Sequence, residues 1–119
     1  MKKTVVIGAS ENPARYSYLA VDRLTQHGHP VIAIGNKPGH IGAVPIITTH
    51  PAESNVDTVT LYVNPAIQTV LYDYIFSLHP KRIIFNPGAE NPELCQMAKE
   101  KNIQCLEACT LVLLSTNQY

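Results

Sequence analysis

Val5-Val6-Ile7-Gly8-Ala9-Ser10-Glu11-Asn12-Pro13-Ala14-Arg15-Tyr16-Ser17 is the stretch that decides the fold. It reads as a buried strand that runs straight into a glycine turn and then into an amphipathic segment. Gly8, Ala9, Ser10 and Asn12 are small or turn-forming, so the backbone can pass close to a ligand where a larger side chain would obstruct it. A helix that starts near Tyr16 or Ser17 would turn its unbonded N–H groups and the positive end of its dipole toward that turn. Arg15 adds a charge with fork geometry. Together these features describe an anion site at the carboxyl end of a strand.

Outward from this stretch, apolar runs alternate with helical patterns. The first strand is Thr4 to Ile7. The first helix spans about Tyr16 to His27, with Ala20, Val21 and Leu24 on one face, and Gly28 stops it. A second strand, Val31 to Ile34, leads into Gly35-Asn36-Lys37-Pro38-Gly39, which is dense in turn formers. Between His40 and Ser54, Ile41, Val44, Ile46 and Ile47 suit a short edge piece, and Pro45 and Pro51 argue against a long central strand. The third strand, Thr58 to Val63, ends in Asn64-Pro65. There a helix is capped by Asn and continued by Ile67, Val70, Leu71, Tyr74, Ile75 and Leu78 at helical spacing. Arg82 to Phe85 forms a fourth strand and ends in Asn86-Pro87-Gly88. Asn91-Pro92-Glu93 then opens a helix to about Lys101, with Leu94, Met97 and Ala98 inward. Ile103 to Leu106 is a fifth strand, and Thr110 to Leu114 is an apolar tail of ambiguous type.

This alternation predicts one α/β domain, a doubly wound parallel sheet of about five strands with helices on both faces. In such folds a ligand lies beyond the carboxyl ends of the strands, at the point where strand order reverses. The candidate site residues are therefore Gly8, Ala9, Ser10, Asn12, Pro13, Arg15, Tyr16 and Ser17 after the first strand and Asn36 and Lys37 after the second. Val63, Asn64 and Pro65 follow from the third strand end, and Asn86, Pro87 and Gly88 from the fourth. Turn and polar residues at four successive strand ends point to a ligand more strongly than any one of them.

The kind of ligand is narrowed by two departures from the dinucleotide fingerprint. After Gly8 come Ala9, Ser10 and Glu11, so the GxGxxG turn is absent. At the second strand end Asn36 and Lys37 stand where NAD proteins place an acidic residue. A lysine there suits a phosphorylated ribose, a description that covers both NADP and coenzyme A.

Composition limits the remaining classes. With 119 residues the chain is one domain, and its 45% hydrophobic and 15% charged shares suit a compact sheet protein. Its formal net charge of zero provides no electrostatic footprint for nucleic acid or an anionic membrane surface. The apolar run after Lys2 and Lys3 is too short for a signal peptide or a membrane span, so a cytoplasmic protein is expected. Cys95, Cys105 and Cys109 are odd in number and lack CxxC spacing, which supports neither a disulfide framework nor a zinc site, and they read as buried thiols.

Val6-Ile7-Gly8-Ala9-Ser10 with Asn12-Pro13 and Arg15-Tyr16-Ser17, then Ile41-Gly42, then Asn86-Pro87-Gly88-Ala89 before a helix, resemble the small coenzyme A-binding proteins. These are similar to the N-terminal nucleotide-binding domain of succinyl-CoA synthetase alpha subunits and of ADP-forming acyl-CoA synthetases. The resemblance runs from Lys3 to about Cys109. It implies a stand-alone Rossmann-like module that holds coenzyme A or an acyl-CoA, with phosphates near the first loop and adenosine near the loop after the second strand. Family members carry Val-Asn-Pro after that strand, where this chain has Ile34-Gly35-Asn36-Lys37-Pro38. Lys37 matches a basic position found just after the motif. The phosphorylated-histidine and ATP-grasp domains of the synthetases do not fit in this length.

No catalytic set can be assembled. His27 and His29 lie at the amino side of the second strand, away from the ligand edge, and His40, His50 and His79 are isolated. Cys109 follows the fifth strand on the ligand side, where a thiol near a coenzyme A thiol could form a mixed disulfide, although packing is its commoner role. The expectation is a coenzyme A-binding module without chemistry or metal of its own, acting alone, as a homodimer or with a partner enzyme. The alternative is a small NADP-dependent oxidoreductase or redox sensor.

Overall fold

The chain runs β1 (Thr4–Ile7), α1 (Tyr16–Gln26), β2 (Val31–Ile34), β3 (Gly39–Ile41), β4 (Val44–Ile47), β5 (Thr58–Leu61), α2 (Pro65–Thr69), α3 (Tyr72–Ser77), β6 (Arg82–Phe85), α4 (Pro92–Glu100), β7 (Gln104–Glu107) and α5 (Thr110–Ser115). This is a computed structural model and it describes residues 1–119. The sheet order is β3-β4-β2-β1-β5-β6-β7, parallel throughout except for the β3–β4 pair. β1 is the pivot: Ile7 stands opposite Ile34 of β2 on one side and Leu61 of β5 on the other. The strand order reverses there, so the crevice opens between β1 and β5.

Period-two alternation lets each strand serve two cores. Val5 and Ile7 join Val59, Leu61, Ile83 and Phe85 under Leu71, Ile75, Leu94 and Ala98 of α3 and α4 and the turn before α3. Val6 and Ala33 face the other way, under Val21 and Leu24 of α1 and Leu114 of α5. The tail expected to be ambiguous is thus helix α5, and it covers the face that α1 alone would leave open.

The sheet has seven strands rather than about five. The segment around Ile41 to Ile47 supplies two of them, a hairpin turned at Gly42-Ala43, where Gly42 has φ +59°. β4 is not at the edge: it lies between β3 and β2, and its pairing with β2 is confined to Ala33–Ile46 and Ile34–Ile47, past Pro45. The last strand begins at Gln104, one residue later than its apolar pattern suggests, and Ile103 is a buried lead-in residue.

The helix expected from Pro65 through Leu78 is broken into α2 and α3 at Val70–Leu71, where the Leu71 N–H reaches back only three residues to the Gln68 carbonyl at 2.8 Å. The break rotates the inward face. Gln68, Leu71, Ile75 and Leu78 are buried, while Ile67 is 49% and Val70 81% exposed. Both helices expected to start at an asparagine are capped by it: Asn64 Oδ1 accepts the Ile67 N–H at 3.0 Å and Asn91 Oδ1 the Leu94 N–H at 3.1 Å.

The cysteines also depart from expectation. Cys95 of α4 and Cys105 of β7 form a disulfide across a Cα separation of 5.5 Å, and only Cys109 is free. The two are ten residues apart with no spacing signature, because the fold alone brings α4 back over the strand that follows it.

Candidate functional site

The turn after β1 is shaped by its glycine. Gly8 has φ +99°, and a Cβ there would come within 3.0 Å of Val63 Cγ1 and 3.1 Å of the Tyr62 carbonyl carbon. Any larger residue would be strained and would press into the loop after β5. The Gly8 and Ala9 N–H groups share the Ile34 carbonyl at 2.9 Å, which anchors the turn to the end of β2. Next the chain folds on itself: Ser10 Oγ accepts the Asn12 N–H at 3.1 Å and Asn12 Oδ1 the Ala14 N–H at 3.0 Å. These two bonds deliver the chain to Arg15 at the head of α1.

α1 starts without a side-chain cap and without an acidic residue in its first turn. The N–H groups of Tyr16, Ser17 and Tyr18, like those of Ser10 and Glu11, have no acceptor within the chain. Orphan donors, the positive helix end and the exposed Arg15, which makes no ion pair, form one anion-seeking surface.

That surface is one wall of a cleft of about 930 Å³ along the carboxyl edge of the sheet. The volume lies within the roughly 300–1,000 Å³ of small-molecule and cofactor sites. Of the expected residues, Gly8, Ala9, Ser10, Asn12, Arg15, Tyr16, Ser17, Asn36, Lys37, Val63, Asn64, Pro87 and Gly88 line it. Pro13, Pro65 and Asn86 do not. Pro13 and Pro65 shape the chain on either side of lining residues. Asn86 is 2% exposed and committed to the fold. Its Nδ2 donates to Thr60 Oγ1 at 2.6 Å and to the Leu61 carbonyl at 2.9 Å, and its Oδ1 accepts the Thr110 N–H at 2.9 Å. It joins β6, β5 and α5 beneath the cleft.

Glu11, Ala14, Pro38, Tyr62, Ile67 and Ala89 also line the cleft and were not singled out from the sequence. Ala14, Pro38 and Ala89 adjoin expected residues and could have been found by extending each turn by one position. Tyr62 lies inside the strand that the sequence predicts over Thr58 to Val63, but β5 stops at Leu61. Burial pushes its phenol well above the ordinary range, and its buried hydroxyl makes no hydrogen bond. Ile67 falls on the apolar spacing of the helix expected after Pro65, and the break between α2 and α3 turns it to the cleft instead.

A smaller annexe of about 220 Å³ opens beside the main cleft between the end of β2 and the α2–α3 segment. Ile7, Ile34, Val63, Ile67, Leu71 and Tyr74 give it an apolar wall, and Asn36, Thr48 and His50 add polar groups. The His50 and Tyr74 rings stack at 4.9 Å.

None of the five histidines lines the main cleft, and no group of three or more His, Cys, Asp or Glu side chains could hold a metal ion. His29 is at the opposite end of the sheet, where its Nδ1 accepts the Lys2 N–H at 3.0 Å. No helix is long and apolar enough to cross a membrane.

The same fold recurs in solved structures. An uncharacterized protein of known crystal structure is 49% identical, superimposes with a TM-score of 0.97, and is matched over 100% of this chain and 98% of its own. A hypothetical protein from Pyrococcus horikoshii OT3 shares the fold at 20% identity and a TM-score of 0.86, over 97% of this chain and 82% of its own. A Thermus thermophilus protein does so at 18% identity and a TM-score of 0.84, over 99% and 91%. None of the functionally curated proteins matches the chain. The family described as the CoA binding domain matches residues 2–115, and the chain, with its glycine turn, Arg15 and Lys37 within that span, belongs to it.

Proposed function

We propose that the cleft holds coenzyme A or an acyl-CoA, and that the chain is a binding module with no catalytic step of its own. The observation that carries this reading is the placement of two cations on one cleft: Arg15 at the uncapped head of α1 and Lys37 past the end of β2. One suits a pyrophosphate beside free backbone N–H groups, and the other suits a phosphate on the ribose. On the β2 side, Ile34 and Gly35 beside Asn36 offer an apolar surface of the kind an adenine ring needs. The family supplies the class of ligand, and the lysine in place of an acidic residue argues against plain NAD. No nucleophile–base pair or metal set faces the cleft, which favours carriage, sensing or service to a partner enzyme over catalysis.

Calorimetric titration of the purified protein with coenzyme A, dephospho-coenzyme A, NADP and NAD tests the reading, together with mass spectrometry of ligand released from native protein. Coenzyme A binds and raises the melting temperature, and NAD does neither. Binding of NADP without binding of coenzyme A would overturn it.

A further inference from the structure

One buried amide joins two loops of the cleft that have no backbone bond between them. Gln68 is 0% exposed, although its neighbours Ile67 and Thr69 are exposed. Its Nε2 donates to the Val63 carbonyl at 2.8 Å and to the Ala89 carbonyl at 2.7 Å, and its Oε1 accepts from Asn91 Nδ2 at 2.9 Å. Both donors of the carboxamide are used, and its oxygen is engaged. The β5–β6 ladder ends at Leu61 opposite Phe85, and Asn86 holds the Leu61 carbonyl just past that pair; beyond it the two loops diverge with no backbone bond between them. Gln68 spans the gap, and both residues whose carbonyls it holds line the cleft.

The amide has one allowed orientation. Asn91 Oδ1 is taken by the Leu94 N–H at the head of α4, so Nδ2 is the group that faces Gln68. The same Nδ2 donates to the Tyr72 hydroxyl at 2.9 Å, and that hydroxyl donates to Glu93 Oε1 at 2.9 Å. Gln68 must therefore turn its oxygen toward Asn91 and its N–H groups toward the two strand ends. A fully bonded buried network of this kind has one geometry, and a half-bonded one is costly.

We infer that Gln68 is a positioning residue that fixes the Val63–Ala89 wall for the arm of the ligand beyond its phosphates; this rests on the coenzyme A reading above. The carboxyl edge of the sheet presents β2, β1, β5 and β6 in that order. A ligand whose ribose phosphate meets Lys37 and whose pyrophosphate meets Arg15 continues over the ends of β5 and β6. There Gln68 sets the separation of the two loops, without touching the ligand.

The test compares coenzyme A with adenosine 3′,5′-bisphosphate, which has the nucleotide end and no arm, on the wild type, Gln68→Glu and Gln68→Leu. Glutamate keeps the shape and presents oxygen to two carbonyls, and leucine removes the bonds altogether. Both variants lose tenfold or more in affinity for coenzyme A and stay within twofold of wild type for the bisphosphate. An equal loss for both ligands, or no loss for coenzyme A, overturns the inference. A wild type that binds neither ligand overturns the coenzyme A reading itself. Should both variants fail to fold, the wild type still decides: the Gln68 carboxamide resonances shift with coenzyme A and not with the bisphosphate. Their failure to shift with coenzyme A overturns the inference.

Discussion

The Glu11 carboxylate accepts the His40 N–H at 2.8 Å and thereby ties the turn after β1 to the β3–β4 hairpin. Glu11 is the one acidic side chain on the cleft wall, which is otherwise suited to anions, and this bond gives it a structural role there. Gly39 makes room for it, since a Cβ on Gly39 would collide with the Glu11 carboxylate. The bond is exposed, so Glu11→Ala costs about 0.5–1 kcal/mol in urea unfolding, within the range for a net hydrogen bond. Gly39→Ala costs more in the wild type than in the Glu11→Ala background, because the clash is with the carboxylate itself. Additive costs in that double-mutant cycle would mean that Gly39 is required for another reason.

Arg15 is exposed and makes no side-chain bond within the chain, so it is free to serve a ligand. Arg15→Ala weakens coenzyme A binding by roughly 1.5–3 kcal/mol, the range for a charge-assisted hydrogen bond, and shifts unfolding by less than about 0.5 kcal/mol. Calorimetry and urea titration on the same preparation separate the two effects. Unchanged affinity would place the phosphates away from the head of α1.

The Cys95–Cys105 bridge closes a loop of ten residues' separation between α4 and β7. In the chain-entropy account, a loop of that size is worth roughly 2.5–3 kcal/mol against the unfolded chain. For a domain of this size a dithiol reductant lowers the melting temperature by on the order of 10 °C. A Cys95→Ala/Cys105→Ala protein melts at the reduced value and no longer responds to reductant. Equal melting with and without reductant in the parent chain would show that the bridge is not formed in solution.

Strand ends, caps and the glycine turn were legible because each rests on local chemistry: Gly8 needs its positive φ, and Asn64 and Asn91 satisfy orphan N–H groups within three residues. What escaped the sequence depends on distant partners. Gln68 carries no periodic signal, and the carbonyls that draw it inward belong to Val63 and to Ala89, 21 residues on, so the break between α2 and α3 could not be read from apolar spacing. Asn86 looked like a ligand residue because strand-end asparagines often are, yet its partners Thr60 and Thr110 lie 26 and 24 residues away. The hairpin is hidden for a related reason: Pro45 weakens a strand pattern, and only the register with β2 shows that pairing with that strand begins after it.

Lys37 is the residue on which the choice of a ribose-phosphate ligand over plain NAD turns. It lies in the loop between Gly35 and Pro38, exposed, lining the cleft and engaged in no ion pair. Its loop is held at a fixed place. Gly35 donates to the Ile47 carbonyl at 3.0 Å, and a side chain on Gly35 would collide with the Ala9 carbonyl of the first turn. The lysine therefore approaches the ligand from the β2 side of the cleft, and its ammonium acts as a point charge on a flexible stem. Because the site is open to solvent, the pair it makes with a phosphate is worth on the order of 1 kcal/mol, somewhat more for a dianion. Lys37→Ala thus weakens coenzyme A about five- to tenfold and leaves dephospho-coenzyme A nearly unchanged, so that the variant binds the two ligands almost alike. Raising salt narrows the wild-type preference toward that of the variant. Calorimetry of both ligands on both proteins measures the difference directly: equal losses would mean that Lys37 does not meet the 3′-phosphate, and a loss confined to the dephospho ligand would place the ribose elsewhere in the cleft.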